Sequence, residues 1–79
     1  MDVVERLPSA NGTIGVREIQ KGVASGAVKH VFVAKNCPDW LISKISGSGA
    51  KLEQFAGNER ELGTALGKQF AVAMVGFKE

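Results

Sequence analysis

The chain predicts an α/β fold in which a partly parallel sheet lies between layers of helices. Segments of strand length, at residues 29–34, 51–56 and 70–77, alternate with segments that carry apolar residues at helical spacing. Strands that alternate with helices in this way imply parallel pairing and helical cover on the sheet. The 79 residues suffice for one domain with a small core, and we expect residues 1–79 to form it.

The N-terminal half is predicted to hold four elements: a short helix, a short strand, a longer helix and a buried strand. Residues 2–7 predict a short helix, and residues 8–12 a turn rich in helix-breaking residues. A short strand at residues 13–14 leads into a helix that ends at Gly26. The apolar face of that helix consists of Val16, Ile19 and Val23. The continuous apolar run at residues 29–34 then indicates a strand covered on both faces.

The second half begins with a helix that starts near a proline. Pro38 suits the first helical position, and Asp39 favours the positive end of the helix dipole. The apolar stripe of this helix is predicted to consist of Trp40, Leu41 and Ile45. Residues 46–49, Ser-Gly-Ser-Gly, form a flexible connector to the next strand at residues 51–56.

A capped helix and a basic corner follow. Asn58 is predicted to cap the helix while Glu61, three residues on, reaches back to the cap amide. Gly67 suits the left-handed position after the helix, where a side chain would be strained. Lys68 and Phe70 then offer a cation for a nucleic-acid backbone and a ring for an unpaired base. The alternative is a solvated lysine beside a core phenylalanine.

A second polar cluster opens the first long helix. Gly15 lies where that helix begins, so a phosphate could closely approach the backbone amides there. Arg17 and Lys21 are four residues apart and share one face, where their like charges repel mildly. Glu18 could accept hydrogen bonds from the exocyclic amines of bases. The alternative is an ordinary solvated helix face.

Composition sets limits on partner and compartment. The net charge of +2 permits an acidic partner, but a local cluster of basic residues would have to bind it. A single cysteine excludes an internal disulfide and fits a reducing compartment. The apolar runs are too short to span a bilayer, and the N-terminus has no apolar signal core. We therefore expect a cytoplasmic protein without a membrane partner.

Catalytic and metal-binding patterns are weak. His30 lies inside a strand pattern without an obvious partner, and Cys37 has no paired base. No Cys/His pair has the spacing of metal ligands. The stretch from Gly63 to Lys68 has one residue too few for a phosphate-binding loop. The sequence thus predicts no catalytic residue, metal or cofactor; a small cytosolic enzyme built around Cys37 and His30 is the alternative.

Three patches taken together resemble a known family. They are Gly-x-Arg-x-x-x-Lys at residues 15–21, Gly-Ala-Val-Lys with an apolar run and Ala-Lys-Asn-Cys-Pro at 26–38, and Gly-Asn-x-x-Glu-Leu-Gly-Thr-Ala-x-Gly-Lys-x-Phe at 57–70. This order resembles the kink-turn RNA-binding ribosomal protein superfamily over residues 12–76. Within it, the branch of the archaeal and eukaryotic large-subunit ribosomal protein "thirty-e" is the nearest, and the "seven-Ae" branch comes next.

The resemblance implies a fold and a function. The family fold is a three-layer α/β/α sandwich with a mixed sheet of about four strands, and its members bind the sharply bent kink-turn in RNA. The implied protein is a non-enzymatic structural component of the large ribosomal subunit in the cytoplasm, monomeric when free. Its partners would be ribosomal RNA and other ribosomal proteins. A kink-turn protein of guide-RNA ribonucleoproteins, or a stand-alone RNA-binding relative, is the alternative.

The resemblance also assigns roles to residues. Arg17 and Lys21 match phosphate-contacting positions, and Asn36 matches an asparagine that contacts bases at the bend. Phe70 matches a loop ring that stacks on a flipped-out nucleotide. The RNA-binding set is then Gly15, Arg17, Glu18, Lys21, Asn36, Gly67, Lys68 and Phe70. A protein-interaction module without RNA contacts would not need the basic residues of this set.

Two departures from the family pattern stand out. The region between Pro38 and Lys51 is short, and Ala71 stands where the "thirty-e" branch often has arginine. The second difference implies that one phosphate contact is missing. A trimmed domain is expected to be less stable alone and to gain order from RNA.

Overall fold

A computed structural model of the protein describes residues 2–8, 12–45 and 49–78. The elements are, in chain order, β1 (Asp2–Val4), β2 (Thr13–Ile14), α1 (Val16–Ser25), β3 (His30–Val33), α2 (Asp39–Ile45), β4 (Lys51–Phe55), α3 (Glu59–Ala65) and β5 (Met74–Phe77). No helix in the described ranges is both long and apolar enough to cross a membrane. Much of the predicted turn at residues 8–12 and of the connector at 46–49 falls on residues 9–11 and 46–48, outside the described part.

The strands form one five-stranded mixed sheet in the order β1-β4-β3-β5-β2. β4 runs parallel to both of its neighbours, β1 and β3. β5 runs antiparallel to β3 and to β2. The predicted combination of parallel pairing and helical crossovers is therefore confirmed, with the buried strand β3 at the centre of the sheet.

Helices lie on both faces of this sheet, so the molecule is an α/β/α sandwich. α1 buries Ile19 and Val23 against the face that holds Val31 and Gly76, and α2 packs beside α1. α3 lies on the opposite face, beside the ring of Phe55. Gly12 also lies on that opposite face, close to Val75 and Phe77.

The expectation of a helix at residues 2–7 is wrong. Residues 2–4 form a strand instead, and this strand is why the sheet has five strands where about four were expected. Residues 2–4 form β1, which pairs in parallel with β4 through Val4 and Phe55. The few hydrogen bonds of an isolated six-residue helix do not offset the free-energy cost of nucleating it, whereas consecutive β-branched valines fit a pleated strand. The backbone of residues 2–4 finds its hydrogen-bonding partners on the edge of β4, which is distant in sequence and therefore not visible in the local pattern.

The predicted apolar stripe of α2 is only partly correct. Ile45 is buried and Leu41 is half-buried, but the Trp40 side chain remains 62% exposed. The Lys44 ammonium lies 5.0 Å from the centre of the Trp40 ring, a cation–π contact at the surface. With seven residues, α2 makes barely two turns, and Trp40 faces away from α1 and the sheet.

Glu53 is a charged residue buried within the sheet. Its Oε1 lies 3.0 Å from His30 Nε2 and 3.2 Å from Lys51 Nζ, on neighbouring positions of β3 and β4. Burial by itself would raise the pKa of Glu53, but the hydrogen bond from Lys51 and the proximity of His30 outweigh it. The net effect is a lowered pKa, so the folded protein favours the carboxylate.

We expect acid to destabilise the protein partly through Glu53. A lowered pKa in the folded state contributes stability above the unfolded pKa of about 4.3, and this contribution is lost as the pH falls through the folded pKa. Thermal unfolding of the wild type and of Glu53→Gln, compared near neutral pH and near about pH 3, should show a larger fall in Tm for the wild type. Equal falls would contradict this account.

Candidate nucleic-acid interface

The first turn of α3 is capped by two asparagines from different parts of the chain. Asn58 Oδ1 accepts a hydrogen bond from Glu61 N–H at 2.9 Å, and Glu61 Oε1 accepts one from Asn58 N–H at 3.2 Å. This is the predicted capping box. Asn36, in the loop between β3 and α2, adds a third bond: its Oδ1 accepts from Glu59 N–H at 2.9 Å.

The loop between α3 and β5 is attached to the same turn. Val72 N–H donates to the Glu59 carbonyl at 3.0 Å, and Ala34 N–H donates to the Ala73 carbonyl at 2.8 Å. The predicted strand at residues 70–77 therefore begins only at Met74, because the backbone before it bonds to α3 and to the end of β3. The peptide groups of Glu59 thus join two loops that are distant in sequence.

Local geometry holds Phe70 in this loop with its ring in solvent. Gly67 has a φ of +72°, the left-handed conformation predicted for it, and Lys68 N–H donates to the Gly63 carbonyl. The Phe70 carbonyl lies directly against Gly63 of α3. The side chain of Phe70 is 58% exposed, so its placement in the loop is confirmed. Its stacking role stays a prediction.

The start of α1 lies beside this loop. Ile14 of β2 is opposite Val75 of β5, which brings the next residue, Gly15, alongside the chain that enters β5. Gly15 is the N-cap of α1 with a φ of +95°, and no side chain caps the helix there. A hollow of about 280 Å³ separates the two segments, bordered by Gly15 and Val16 on one side and residues 70–74 on the other.

The remaining predicted residues of α1 face solvent. Arg17, Glu18 and Lys21 are exposed, and none forms an ion pair with another described residue. Arg17 and Glu18 lie in the first turn of α1, next to Gly15, and Lys21 lies one turn further from the loop. Hydrogen bonds to Glu59 connect the loop of Asn36 with the loop of Phe70, and Gly15 borders one hollow with Phe70, while Lys21 lies one turn further along α1.

One cation at this end of the molecule escaped the sequence analysis. Arg60 borders an open hollow together with Thr64, Lys68 and Phe70. Its position could have been found from spacing, since Arg60 and Thr64 are four residues apart and share one side of α3, and Lys68 follows shortly after the helix ends.

The chemistry of Cys37 and His30 does not favour an enzyme. Burial, followed by the nearby charges of Glu59 and Asp39, raises the pKa of the Cys37 thiol, so it remains protonated. His30 lies at Glu53, away from Cys37 along β3. Within the described residues, no group of three or more potential metal ligands occurs.

Comparison with known proteins gives consistent results. The sequence profile of the "Ribosomal protein L7Ae/L30e/S12e/Gadd45 family" matches residues 5–79. The chain is 35% identical to the large ribosomal subunit protein eL30 of Archaeoglobus fulgidus over 92% of this chain and 85% of that protein. It is 32% identical to eL30 of Saccharomyces cerevisiae over 92% of this chain and 73% of that protein.

Two solved structures share the fold. A 15.5kD RNA binding protein of Giardia lamblia superposes with a TM-score of 0.67 at 18% identity, over 85% of this chain and 59% of that one. A protein with unknown function from Bacillus halodurans C superposes with a TM-score of 0.68 at 24% identity, over 85% of this chain and 70% of that one. The α/β/α sandwich is therefore a shared architecture.

We expect Gly63→Ala to lower the free energy of unfolding by about 1–3 kcal/mol. The added methyl group would overlap the Phe70 carbonyl oxygen, a backbone atom that cannot rotate away. The energetic cost of this overlap exceeds the gain of about 1 kcal/mol in helix stability that replacing glycine by alanine normally brings. Chemical denaturation measures the change, with the exposed neighbour Thr64→Ala as the control, expected to stay within about 0.5 kcal/mol of wild type. A Gly63→Ala protein as stable as wild type would contradict the close packing.

Proposed function

Because the chain belongs to the Ribosomal protein L7Ae/L30e/S12e/Gadd45 family, in its L30e branch, we propose that it recognises a kink-turn as a structural protein of the large ribosomal subunit. Residues 1–79 would act as one RNA-binding domain, monomeric when free. The family is one of ribosomal proteins and is not known for enzymes, so the expectation of a non-enzymatic protein is confirmed. The branch is the one written "thirty-e" above.

The observation that carries this proposal is the convergence at Glu59. Its N–H binds Asn36 and its carbonyl binds Val72, which sets the β3–α2 loop beside the loop that displays Phe70. The hollow between Gly15 and residues 70–74 adds the start of α1 to the same end of the sheet. A sharply bent RNA offers phosphates, base edges and an unstacked base within a short distance, which fits three such segments.

Asn36 and Glu18 would contact base edges in complementary ways. The Asn36 oxygen already accepts from Glu59 N–H, so the amide nitrogen is the group left to donate to RNA. Glu18 is exposed in the first turn of α1 and offers only acceptors when ionised. Asn36 would therefore donate to acceptor atoms of a base, and Glu18 would accept from the exocyclic amine of a base.

Phosphates would bind along α1 and at the basic corner. The Gly15 cap leaves the first amides of α1 without a side-chain partner, and the helix dipole favours an anion there. Arg17 and Lys21 extend this positive surface by one turn, and Lys68 supplies a cation beside Phe70. These contacts position the RNA without reading its sequence.

The names of the relatives support a ribosomal setting for this protein. The curated proteins that this chain matches are named as large ribosomal subunit proteins in archaea and eukaryotes. We therefore assign ribosomal RNA as the partner, with neighbouring ribosomal proteins as further contacts, and the cytoplasm as the location. A kink-turn within that RNA is the specific element proposed.

The protein should bind a kink-turn RNA tightly and a straight duplex of equal length far more weakly. A net charge of only +2 cannot support strong non-specific binding. With about three phosphate contacts, the slope of log affinity against log salt should be shallow, near −2 to −3. Filter binding or fluorescence anisotropy at several salt concentrations measures both quantities. Equal affinity for the two RNAs would contradict kink-turn recognition.

Arg17→Ala and Lys21→Ala should each weaken kink-turn binding by about 1–2 kcal/mol, the size of a hydrogen bond to a charged group. The Tm of the free protein should stay constant or rise slightly, because both side chains are exposed and repel each other. Lys29→Ala is the matched control, since this exposed lysine precedes β3 at the opposite end of the sheet. A large fall in Tm would instead indicate structural roles.

Phe70→Ala should cost about 1–3 kcal/mol of RNA binding, the value of stacking one base on an aromatic side chain. Folding stability should change little, because the ring is 58% exposed. Phe77→Ala serves as the contrast: this ring is buried, and its loss should cost about 3–5 kcal/mol of folding stability. A drop of more than about 10 °C in the Tm of free Phe70→Ala would rule out stacking as its main role.

A further inference from the structure

Phe70 stands between two hollows, and only one of them faces α1. The first lies between Gly15 and residues 70–74. The second lies on the α3 side and is lined by Arg60, Thr64, Lys68, Gln69, Phe70 and Ala71. Its volume of about 530 Å³ falls within the range of about 300–1,000 Å³ typical of small-molecule sites. Of the residues that line this second hollow, Arg60 and Thr64 have no role in the RNA surface proposed above.

The second hollow has the chemistry of an anion site beside a stacking platform. Arg60 and Lys68 contribute two cations, and no carboxylate among the described residues lines the hollow. Arg60 forms no ion pair within the described residues, so its guanidinium is available to a ligand. Thr64 Oγ1 donates to the Arg60 carbonyl at 3.1 Å and keeps its acceptor capacity. The exposed ring of Phe70 forms one border.

We propose that Arg60, with Lys68, binds the phosphodiester of the RNA strand next to the base that stacks on Phe70. This inference rests on the proposed RNA binding and extends it by a residue on α3. A nucleotide carries an aromatic base and an adjacent phosphate, which match a ring and a pair of cations in one hollow. Arginine suits the role because its planar group can donate two parallel hydrogen bonds to phosphate oxygens.

The small side chain of Ala71 provides a direct way to test the location of the charge. Ala71 is exposed and borders the same hollow as Arg60. An arginine placed there would restore a guanidinium to the hollow from a different backbone position. If the positive charge in this hollow matters, rather than the shape of α3, Arg60→Gln combined with Ala71→Arg should recover affinity.

The first experiment compares Arg60→Gln with Lys29→Gln in binding to a kink-turn RNA. Both variants remove one positive charge, but Lys29 lies at the opposite end of the sheet. Arg60→Gln should weaken binding about five- to tenfold and reduce the steepness of the salt dependence by about 0.7–1, the effect of one lost phosphate contact. Lys29→Gln should change both quantities much less, and the free proteins should melt alike.

The second experiment removes the charge from the RNA. A neutral methylphosphonate is placed in turn at each phosphate flanking the extruded nucleotide. At one of these positions, wild type should lose about as much affinity as Arg60→Gln loses by mutation, while Arg60→Gln should lose no more. Equal losses for wild type and variant at every position would overturn the inference.

The outcomes separate the inference from the function on which it rests. Preference for the kink-turn by wild type, together with indistinguishable Arg60→Gln and Lys29→Gln, overturns the role of Arg60 and leaves the proposed function intact. Equal binding of kinked and straight RNA by wild type overturns the function, and the inference with it. Selective loss in Arg60→Gln, with recovery in the double variant, supports both.

Discussion

The peptide groups of Glu59 are the junction on which the proposed RNA surface depends. One bond to Asn36 and one to Val72 join the end of β3, the start of α3 and the entry to β5. Each bond contributes only about 0.5–1.5 kcal/mol net, yet together they fix two loops that would otherwise move independently. Two further contacts complete the arrangement. The Phe70 carbonyl packs against Gly63, and the pairing of β2 with β5 places Gly15 alongside the chain that enters β5. The proposed RNA-binding groups therefore come from three distant stretches of the chain that meet at one edge of the sheet.

Stability and the proposed RNA recognition depend on different residues at this edge. Leu62 and Leu66 bury their side chains on the inner side of α3, while Arg60 and Phe70 remain outside. Burying a phenyl ring fully stabilises a folded protein by about 1.5–3 kcal/mol relative to leaving it in water. This stabilisation is lost when the ring is left exposed, and the loss is large for a domain of 79 residues. An aromatic partner such as an unstacked base would recover that energy on binding.

Local signals allowed the capped helix and its left-handed glycine to be predicted from the sequence. Asn58, Glu61 and Gly67 act within a few residues of one another, so their geometry follows from chain chemistry alone. Two of the errors involve distant partners. Residues 2–4 form a strand because β4 has a free edge, and β5 starts late because Val72 bonds to Glu59. The second use of Asn36, as a cap for α3, was equally invisible without the fold.

The central claim is that three separate segments form one RNA surface. Amide hydrogen exchange of the protein, free and bound to a kink-turn RNA, tests it most directly. The account predicts slower exchange at the first turn of α1, at residues 35–37 and at residues 68–71 together, with no change around Lys29 at the opposite end of the sheet. Protection confined to one of these segments, or found around Lys29, would contradict it.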